Sequence, residues 1–369
     1  MLNLFKKPAF GLDISDYSIE ALELEKKLGK IYLGAYGRVE LEKGIVEDGK
    51  ILNKEKLKEK IKKLIGNTVP RKLKINQVIV SLPESKTFFH ISKLPANLVG
   101  KELYSAIESE ALKTIPLAPE DLYFDFQIAK KEKDWQEVLY VGTLRETVNE
   151  YLGVLKDAGL SPLAFDIESA SLTRAFGAEM IKDGGVLIAD IGTTTTVLTI
   201  FDEELIRVSA IVPIAGNDFT RVISEKLKIS LEKAEGLKRN CGLNPKKREG
   251  KIMLILQGFL QDILNEIKTF ISFYEEKSGR KIKKILLCGG SSLIPELSSY
   301  LASNIGINTY IPNPWKGIEM EELYKHVKIK FHPIFFANVS GLAKRGLEKN
   351  PGSAGINLIP GEKGRRPIF

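Results

Sequence analysis

The chain has 369 residues, 43% hydrophobic and 28% charged, with a formal net charge of +8, a length and balance that suit two domains or one bilobed domain. Its two cysteines, Cys241 and Cys288, fit a reducing compartment and exclude a disulfide scaffold. Met1–Phe10 lacks the apolar run of a secretory signal, and no stretch nears the roughly 20 apolar residues that span a bilayer, so a cytoplasmic chain is expected.

From Phe10 to about Val46 the pattern predicts strands, including a strand, turn and strand at Leu12-Asp13-Ile14-Ser15-Asp16-Tyr17-Ser18 that continues into Ile19–Leu24. Asn53 caps a helix through Ile65, where Leu57, Ile61, Leu64 and Ile65 lie beneath a solvated Lys face; this and two other Lys-rich stretches, at 246–251 and 281–284, are not read as a nucleic-acid surface. Val78–Leu82 is a buried strand ended by Pro83. The segment from Phe88 to about Leu163 reads as α+β: a strand near 89–94, a helix with Leu103, Ile107, Ala111 and Ile115, strands near 122–128 and 138–143, and a helix through Tyr151 and Leu155 that stops at Gly159. Leu163–Ile167 returns as a strand and Glu168–Ile181 as a helix.

A second hairpin, Ala189-Asp190-Ile191-Gly192-Thr193-Thr194-Thr195, runs into Val197–Phe201. After a strand to Ile214 comes a turn at Gly216-Asn217-Asp218, a helix with Phe219, Val222, Ile223 and Leu227, and a helix capped by Ser230. The long helix near 251–276 carries Ile255, Phe259, Ile263, Ile267, Phe270 and Tyr274 on one stripe. Strand Ile285–Cys288 enters Gly289-Gly290-Ser291, Pro295 sits in the first turn of a helix ended by Gly306, and a last helix covers about 337–347. The expected division is a first lobe at 1–84 and 164–184, an inserted subdomain at 85–163, a second lobe at 185–336, a C-terminal helix at 337–349 that returns to the first lobe, and a flexible Gly/Pro-rich tail at 350–369.

No P-loop, no dinucleotide-binding G-x-G-x-x-G and no H-E-x-x-H is present, and His90, His326 and His332 are scattered. The Asn338-Val339-Ser340 sequon carries no meaning in a cytoplasmic chain. Five features remain in order: the Asp13–Ser18 hairpin, Glu168-Ser169-Ala170 at a helix start, the Asp190–Thr196 hairpin, Glu235 and Lys238 on one helix face, and Gly289-Gly290-Ser291. An acidic residue beside a turn of small residues can set Mg²⁺ water and backbone N–H groups against phosphate oxygens. Two such hairpins suggest a duplicated fold that clamps one nucleotide. Glu235 and Lys238 are spaced to grip two neighbouring hydroxyls, and the glycine pair permits close approach of a ligand.

This order resembles the superfamily of actin, the sugar kinases and the heat-shock chaperone ATPases. The phrases Phe10–Ile14, Ile115–Phe126, Ala215–Arg221, Ile285–Leu297 and Gly341–Leu347 are similar to the PilM family of type IV pilus assembly proteins, relatives of the cell-division protein FtsA. The resemblance covers about residues 8–350. It implies an α/β, two-lobed actin-like ATPase fold with an inserted α+β subdomain in the first lobe, and ATP with Mg²⁺ as cofactor. By the same resemblance, Asp13 and Asp190 face the metal, Ser15, Ser18 and Gly192–Thr195 line the phosphates, Glu168 orients water, and Gly216, Glu235, Lys238, Gly289, Gly290 and Ser291 surround ribose and adenine. Two departures stand out: Ser15 where the superfamily usually has Gly, and Glu20 where many members have Lys. They favour nucleotide binding with at most slow hydrolysis.

Ile356-Asn357-Leu358-Ile359-Pro360, followed by Arg365-Arg366, is similar to the short cytoplasmic N-terminal element of PilN, the inner-membrane protein that PilM proteins hold. The implied role is a cytoplasmic scaffold at the inner face of the membrane that grips a PilN-like peptide, with the segment as a peptide mimic and a route to self-association. Alternatives are an FtsA-like filament-forming division protein and a small-molecule kinase of the same superfamily.

Overall fold

The computed structural model describes residues 9–113, 115, 118–180, 184–320 and 331–360. Ile181, His326 and Arg365-Arg366 lie outside the described residues, as does part of the Ile115–Phe126 phrase. The chain sorts into two compact units, one with the described residues of 1–174, 317–328 and 338–369, the other with those of 175–316 and 329–337.

In the first unit, β1 (Phe10–Ile14), β2 (Ser18–Lys27) and β3 (Lys30–Glu40) form an antiparallel meander, with tight turns between apolar-rich runs. A small hairpin, β4 (Val46–Glu47) and β5 (Lys50–Ile51), leads to α1 (Lys54–Gly66). Asn53 Oδ1 accepts the Lys56 N–H at 3.0 Å and starts this helix, whose Leu57, Ile61 and Leu64 are buried. Then come β6 (Gln77–Leu82), β7 (Thr87–Pro95), α2 (Gly100–Leu112), β8 (Leu122–Lys131), β9 (Trp135–Leu144), α3 (Arg145–Asp157), β10 (Ser161–Ile167) and α4 (Glu168–Ala175). The helix expected to reach Ile181 ends at Ala175 and gives way to a 3₁₀ turn at Gly177–Glu179.

The second unit contains β11 (Gly185–Ile191), β12 (Thr196–Asp202), β13 (Leu205–Val212), α5 (Gly216–Leu227), α6 (Leu231–Cys241), α7 (Lys251–Ser278), β14 (Ile282–Cys288), α8 (Leu297–Ile305) and β15 (Asn308–Tyr310). Gly216–Asp218, expected as a free turn, is the first turn of α5, and Asp218 Oδ2 accepts the Ala215 N–H at 3.0 Å to close that end. The α7 stripe includes Ile263, Ile267, Phe270 and Tyr274 as expected, but at its N-terminal end Ile252, Leu256 and Leu260 are the buried residues. The chain returns to the first unit with β16 (Ile318–Met320) and α9 (Ala337–Gly346).

The first unit's sheet has the order β10-β6-β1-β2-β3-β16, with β1, β6 and β10 parallel. Val78, Ile79 and Val80 of β6 are fully buried, as a strand covered on both faces requires. A separate three-stranded antiparallel sheet, β7-β9-β8, packs one face on α2 through Leu94, Leu103, Ile107, Leu122, Val138 and Tyr140. The second unit's sheet is β13-β12-β11-β14-β15, with the β11–β12 hairpin in the place of β1–β2 and β14 parallel to β11. Helix α9 lies backbone against backbone in the first unit: a Cβ on Gly341 would fall 1.9 Å from Ser171 O of α4, and one on Gly11 of β1 2.6 Å from Val339 O.

Candidate functional site

In open α/β sheets, ligands gather beyond the C-terminal ends of the parallel strands. In the first unit those ends carry Asp13 on β1, Ser81 on β6 and Glu168 after β10. Asp13 accepts from Asn338 Nδ2 at 2.9 Å and Ser81 Oγ at 3.4 Å, and Asn338 also donates to Ser81 at 2.8 Å. Burial raises the Asp13 carboxyl above its ordinary range, and the Asn338 and Ser81 hydrogen bonds oppose that rise. Glu20 stands opposite Asp13 in the hairpin register. Burial, then the Asp13 charge, raises its carboxyl too. Arg38, opposite Glu20 on β3, offsets this with a 2.8 Å ion pair and reaches Ser18 Oγ at 3.2 Å. Glu20 is therefore paired with a cation from the next strand, while its carboxyl still stands above its ordinary range.

Ser15 turns inward. Its Oγ accepts the Ser18 N–H at 3.1 Å and donates to Ser18 O at 3.0 Å, while the Ser15 N–H also goes to Ser18 O at 2.9 Å. Ser15 and Ser18 thus spend hydrogen-bonding capacity on their own turn rather than presenting it to a ligand. Glu168 accepts the Glu84 N–H at 3.1 Å, and Glu84 in turn accepts the Ser169 N–H at 3.3 Å, which fixes the helix start beside β6.

In the second unit the structure gathers the remaining residues into one cluster. The Gly192 N–H closes the turn on Thr195 O at 3.0 Å. Gly192 O accepts the Gly216 N–H at 3.0 Å and Ser291 Oγ at 3.0 Å, and Thr193 O accepts the Asn217 N–H at 2.9 Å. Asp190 on β11 pairs in register with Cys288 of β14, so Gly289 follows directly beside it. Gly289 has φ +76°, and a Cβ there would lie 2.4 Å from Asp190 Oδ1, which is why this position takes Gly. Gly216 is equally tight, with a Cβ 2.5 Å from Ser291 Oγ. Thr194 is exposed at the tip of the turn, and Gly290 opens a 3₁₀ turn at Gly290–Leu293.

Lys238 departs from its expected role. It is buried, and its ammonium donates to Gly216 O at 2.9 Å and Thr220 Oγ1 at 2.8 Å and pairs with Glu235 at 2.7 Å. Its three donors are used inside the protein, so it braces the Gly216 turn instead of standing ready for a hydroxyl. Burial lowers the Lys238 pKa. Burial pushes Glu235 upward, but Lys238, Thr220 and Arg239 bring it below its ordinary value.

The residues present suit MgATP. Mg²⁺ keeps most of its waters and needs one or two carboxylates plus phosphate oxygens; Asp13 and Asp190 are of that kind, and a side chain at Gly289 would fill the space beside Asp190. Among the described residues no group of three or more His, Cys, Asp or Glu could hold a metal ion alone.

The segment expected as a mobile tail is folded onto the first unit over residues 350–360. Ile356 is 2% and Leu358 1% exposed. Strand β10 is an edge of its sheet, and the segment uses that edge: the Leu358 N–H goes to Phe165 O at 3.0 Å, the Phe165 N–H to Asn357 Oδ1 at 3.0 Å, and Asn357 Nδ2 to Leu163 O at 3.1 Å. From the β7-β9-β8 sheet, Asp125 of β8 accepts the Asn357 N–H at 2.8 Å. Arg345 of α9, fully buried, donates to Ile356 O at 2.6 Å and Pro351 O at 2.8 Å. Asp166 of β10 holds Arg345 at 2.8 Å and Arg174 at 3.1 Å.

Sequence reasoning missed Asn338, Ser81, Arg38, Asp125 and Arg345. Asn338 and Arg345 lie in the last predicted helix, where the sequon at Asn338 and the Gly341–Leu347 phrase around Arg345 give no sign of the bonds they make.

A family model described as type IV pilus assembly protein PilM matches residues 11–347. The cell division protein FtsA of Streptococcus pneumoniae is 24% identical over 353 residues, which cover 82% of this chain and 75% of that protein. Among solved structures, a PilM–PilN type IV pilus biogenesis complex aligns with a TM-score of 0.80 and 23% identity over 93% of this chain and all of that one. MreB5 of Spiroplasma citri bound to AMPPNP aligns with a TM-score of 0.52 and 16% identity, covering 91% and 95%. The fold is that of the actin-like ATPases. Among the described residues no helix is long and apolar enough to cross a membrane.

Proposed function

Because this chain belongs to the type IV pilus assembly protein PilM family, we propose that it is an ATP-binding scaffold of a type IV pilus or related secretion machine. In this reading it works at the cytoplasmic face of the inner membrane, where it holds the short N-terminal peptide of a PilN-like protein. MgATP is the proposed ligand. Asp13 and Asp190 would hold Mg²⁺ through its waters, Gly192–Thr195 would face the phosphates, and Gly216, Glu235, Gly289, Gly290 and Ser291 would surround the nucleoside.

The observation that carries this reading is the second-unit cluster, in which the Gly216 N–H and Ser291 Oγ meet on Gly192 O, Gly289 lies against Asp190, and neither Gly216 nor Gly289 has room for a Cβ. For the partner, support comes from the β10 edge with Asp125 and Arg345, which already accommodates an extended segment with apolar, Asn and apolar side chains in a row. A PilM–PilN complex is among the structural neighbours.

Calorimetry tests the nucleotide half. Asp13→Ala and Asp190→Ala should each lower MgATP affinity by about 10–100-fold, as loss of a metal's supporting carboxylate does. Unchanged affinity in both variants overturns the reading.

A further inference from the structure

Resting on the peptide-holding role proposed above, we propose that Ile356–Pro360 is a tethered internal ligand that closes the chain's own peptide slot until an external peptide displaces it. Three of the segment's attachments use groups that any extended peptide carries. The Asn357 N–H goes to Asp125, the Leu358 N–H to Phe165 O, and Ile356 O to Arg345. Main-chain pairing on a sheet edge gives such a segment its grip, and alternate side chains give it its identity. Here identity reduces to two buried apolar groups, Ile356 and Leu358, around Asn357. The Asn357 amide serves Phe165 N–H, Ile359 N–H, Leu163 O and Gly352 O, a pattern no other side chain of that size reproduces.

The receptor side is assembled from the rest of the unit. Arg345 is clamped by Asp166, which Arg174 also holds. Phe165 and Leu163 belong to β10, whose other edge pairs with β6. Asp125 is set by pairing of β8 with β9. An external peptide with the same three side chains would meet the same groups.

The tether makes the internal copy a strong competitor. Few residues separate Gly346, the last of α9, from Ile356, and Gly355 at φ +110° turns the chain into the slot. A ligand on so short a tether has a local concentration on the order of mM, and the apparent affinity of an external peptide falls by the fraction of slots left open.

A labelled synthetic peptide, Gly-Ile-Asn-Leu-Ile-Pro, titrated into the full chain and into its Ile356→Ser/Leu358→Ser variant decides the matter. The variant should bind it at least about ten-fold tighter than the natural chain. Independently of any variant, saturating the natural chain with peptide should speed hydrogen exchange of the Asn357 and Leu358 amides. Equal affinities, or bound peptide with those amides still protected, overturn the internal-ligand proposal and leave the receptor reading standing. Failure of the peptide to bind either chain at mM concentration, with the variant's circular dichroism unchanged, overturns the receptor reading and this proposal with it.

Discussion

Ser15 closes its own turn, and its hydroxyl takes up the Ser18 N–H that would otherwise be available to an anion. Ser15→Gly should release that group, and calorimetry should then show MgATP binding tighter by up to about ten-fold, the worth of one further hydrogen bond to a charged group. Gly289 makes the opposite case: Gly289→Ala places a methyl 2.4 Å from Asp190 Oδ1 and Ile191 O on a φ of +76°. MgATP binding should fall by at least about ten-fold, whereas Gly290→Ala, whose Cβ would meet only Phe335 at 3.2 Å, should bind nearly as the natural chain does. The places of Asp13 and Asp190 near the ends of β1 and β11 were legible in the sequence because each ends an apolar run ahead of a turn of small residues. Asn338 was not, since its bond to Asp13 spans 325 positions and its only local pattern is a sequon. Arg38 was hidden because its ion pair with Glu20 depends on the register of β2 against β3, which composition does not specify.

At the scale of elements, the hairpins, the capped α1 and the long α7 could be read from period and caps alone. The packing of α9 could not, because it depends on how closely two backbones approach. Gly341→Ala would drive a methyl to within 1.9 Å of Ser171 O, and we expect a loss of about 3 kcal/mol or more in chemical denaturation, the upper range for overpacking. The folded segment at 350–360 was missed for a related reason: a Gly/Pro-rich composition reads as coil, yet one buried arginine and one asparagine secure it. Asp166 underlies that arrangement. Burial pushes its carboxyl up, but Arg345 and Arg174 outweigh this and hold it below its ordinary 3.8. Its contribution to stability is therefore present above pH 3.8 and is lost as pH falls through the lower native value. Asp166→Asn should cost about 3–5 kcal/mol near neutral pH by leaving Arg345 buried without its counter-charge. It should also flatten the acid limb of stability measured against pH.

Across the whole molecule, the same helix touches two sites in the first unit. Near its start Asn338 donates to Asp13, and near its end Arg345 donates to Ile356 O. They stand seven positions apart, about 10 Å along the α9 axis. A ligand that draws on Asp13 thus acts on one end of a rigid element whose other end holds the Ile356–Pro360 segment. With Ser15 spent on its turn and Glu168 held by the Glu84 N–H, the isolated chain should turn ATP over well below the roughly 1 s⁻¹ floor of ordinary enzymes, so binding rather than hydrolysis is the signal available to pass along the helix. Binding couplings are reciprocal: if saturating MgATP changes the affinity for the Gly-Ile-Asn-Leu-Ile-Pro peptide by some factor, saturating peptide must change MgATP affinity by the same factor. We expect about five-fold or more in each direction for the Ile356→Ser/Leu358→Ser chain, where the internal competitor is absent. Adding Asn338→Ala should reduce the factor toward one while both ligands still bind. Peptide affinity that is the same with and without MgATP in the chain that retains Asn338 would show that α9 passes nothing between the two sites.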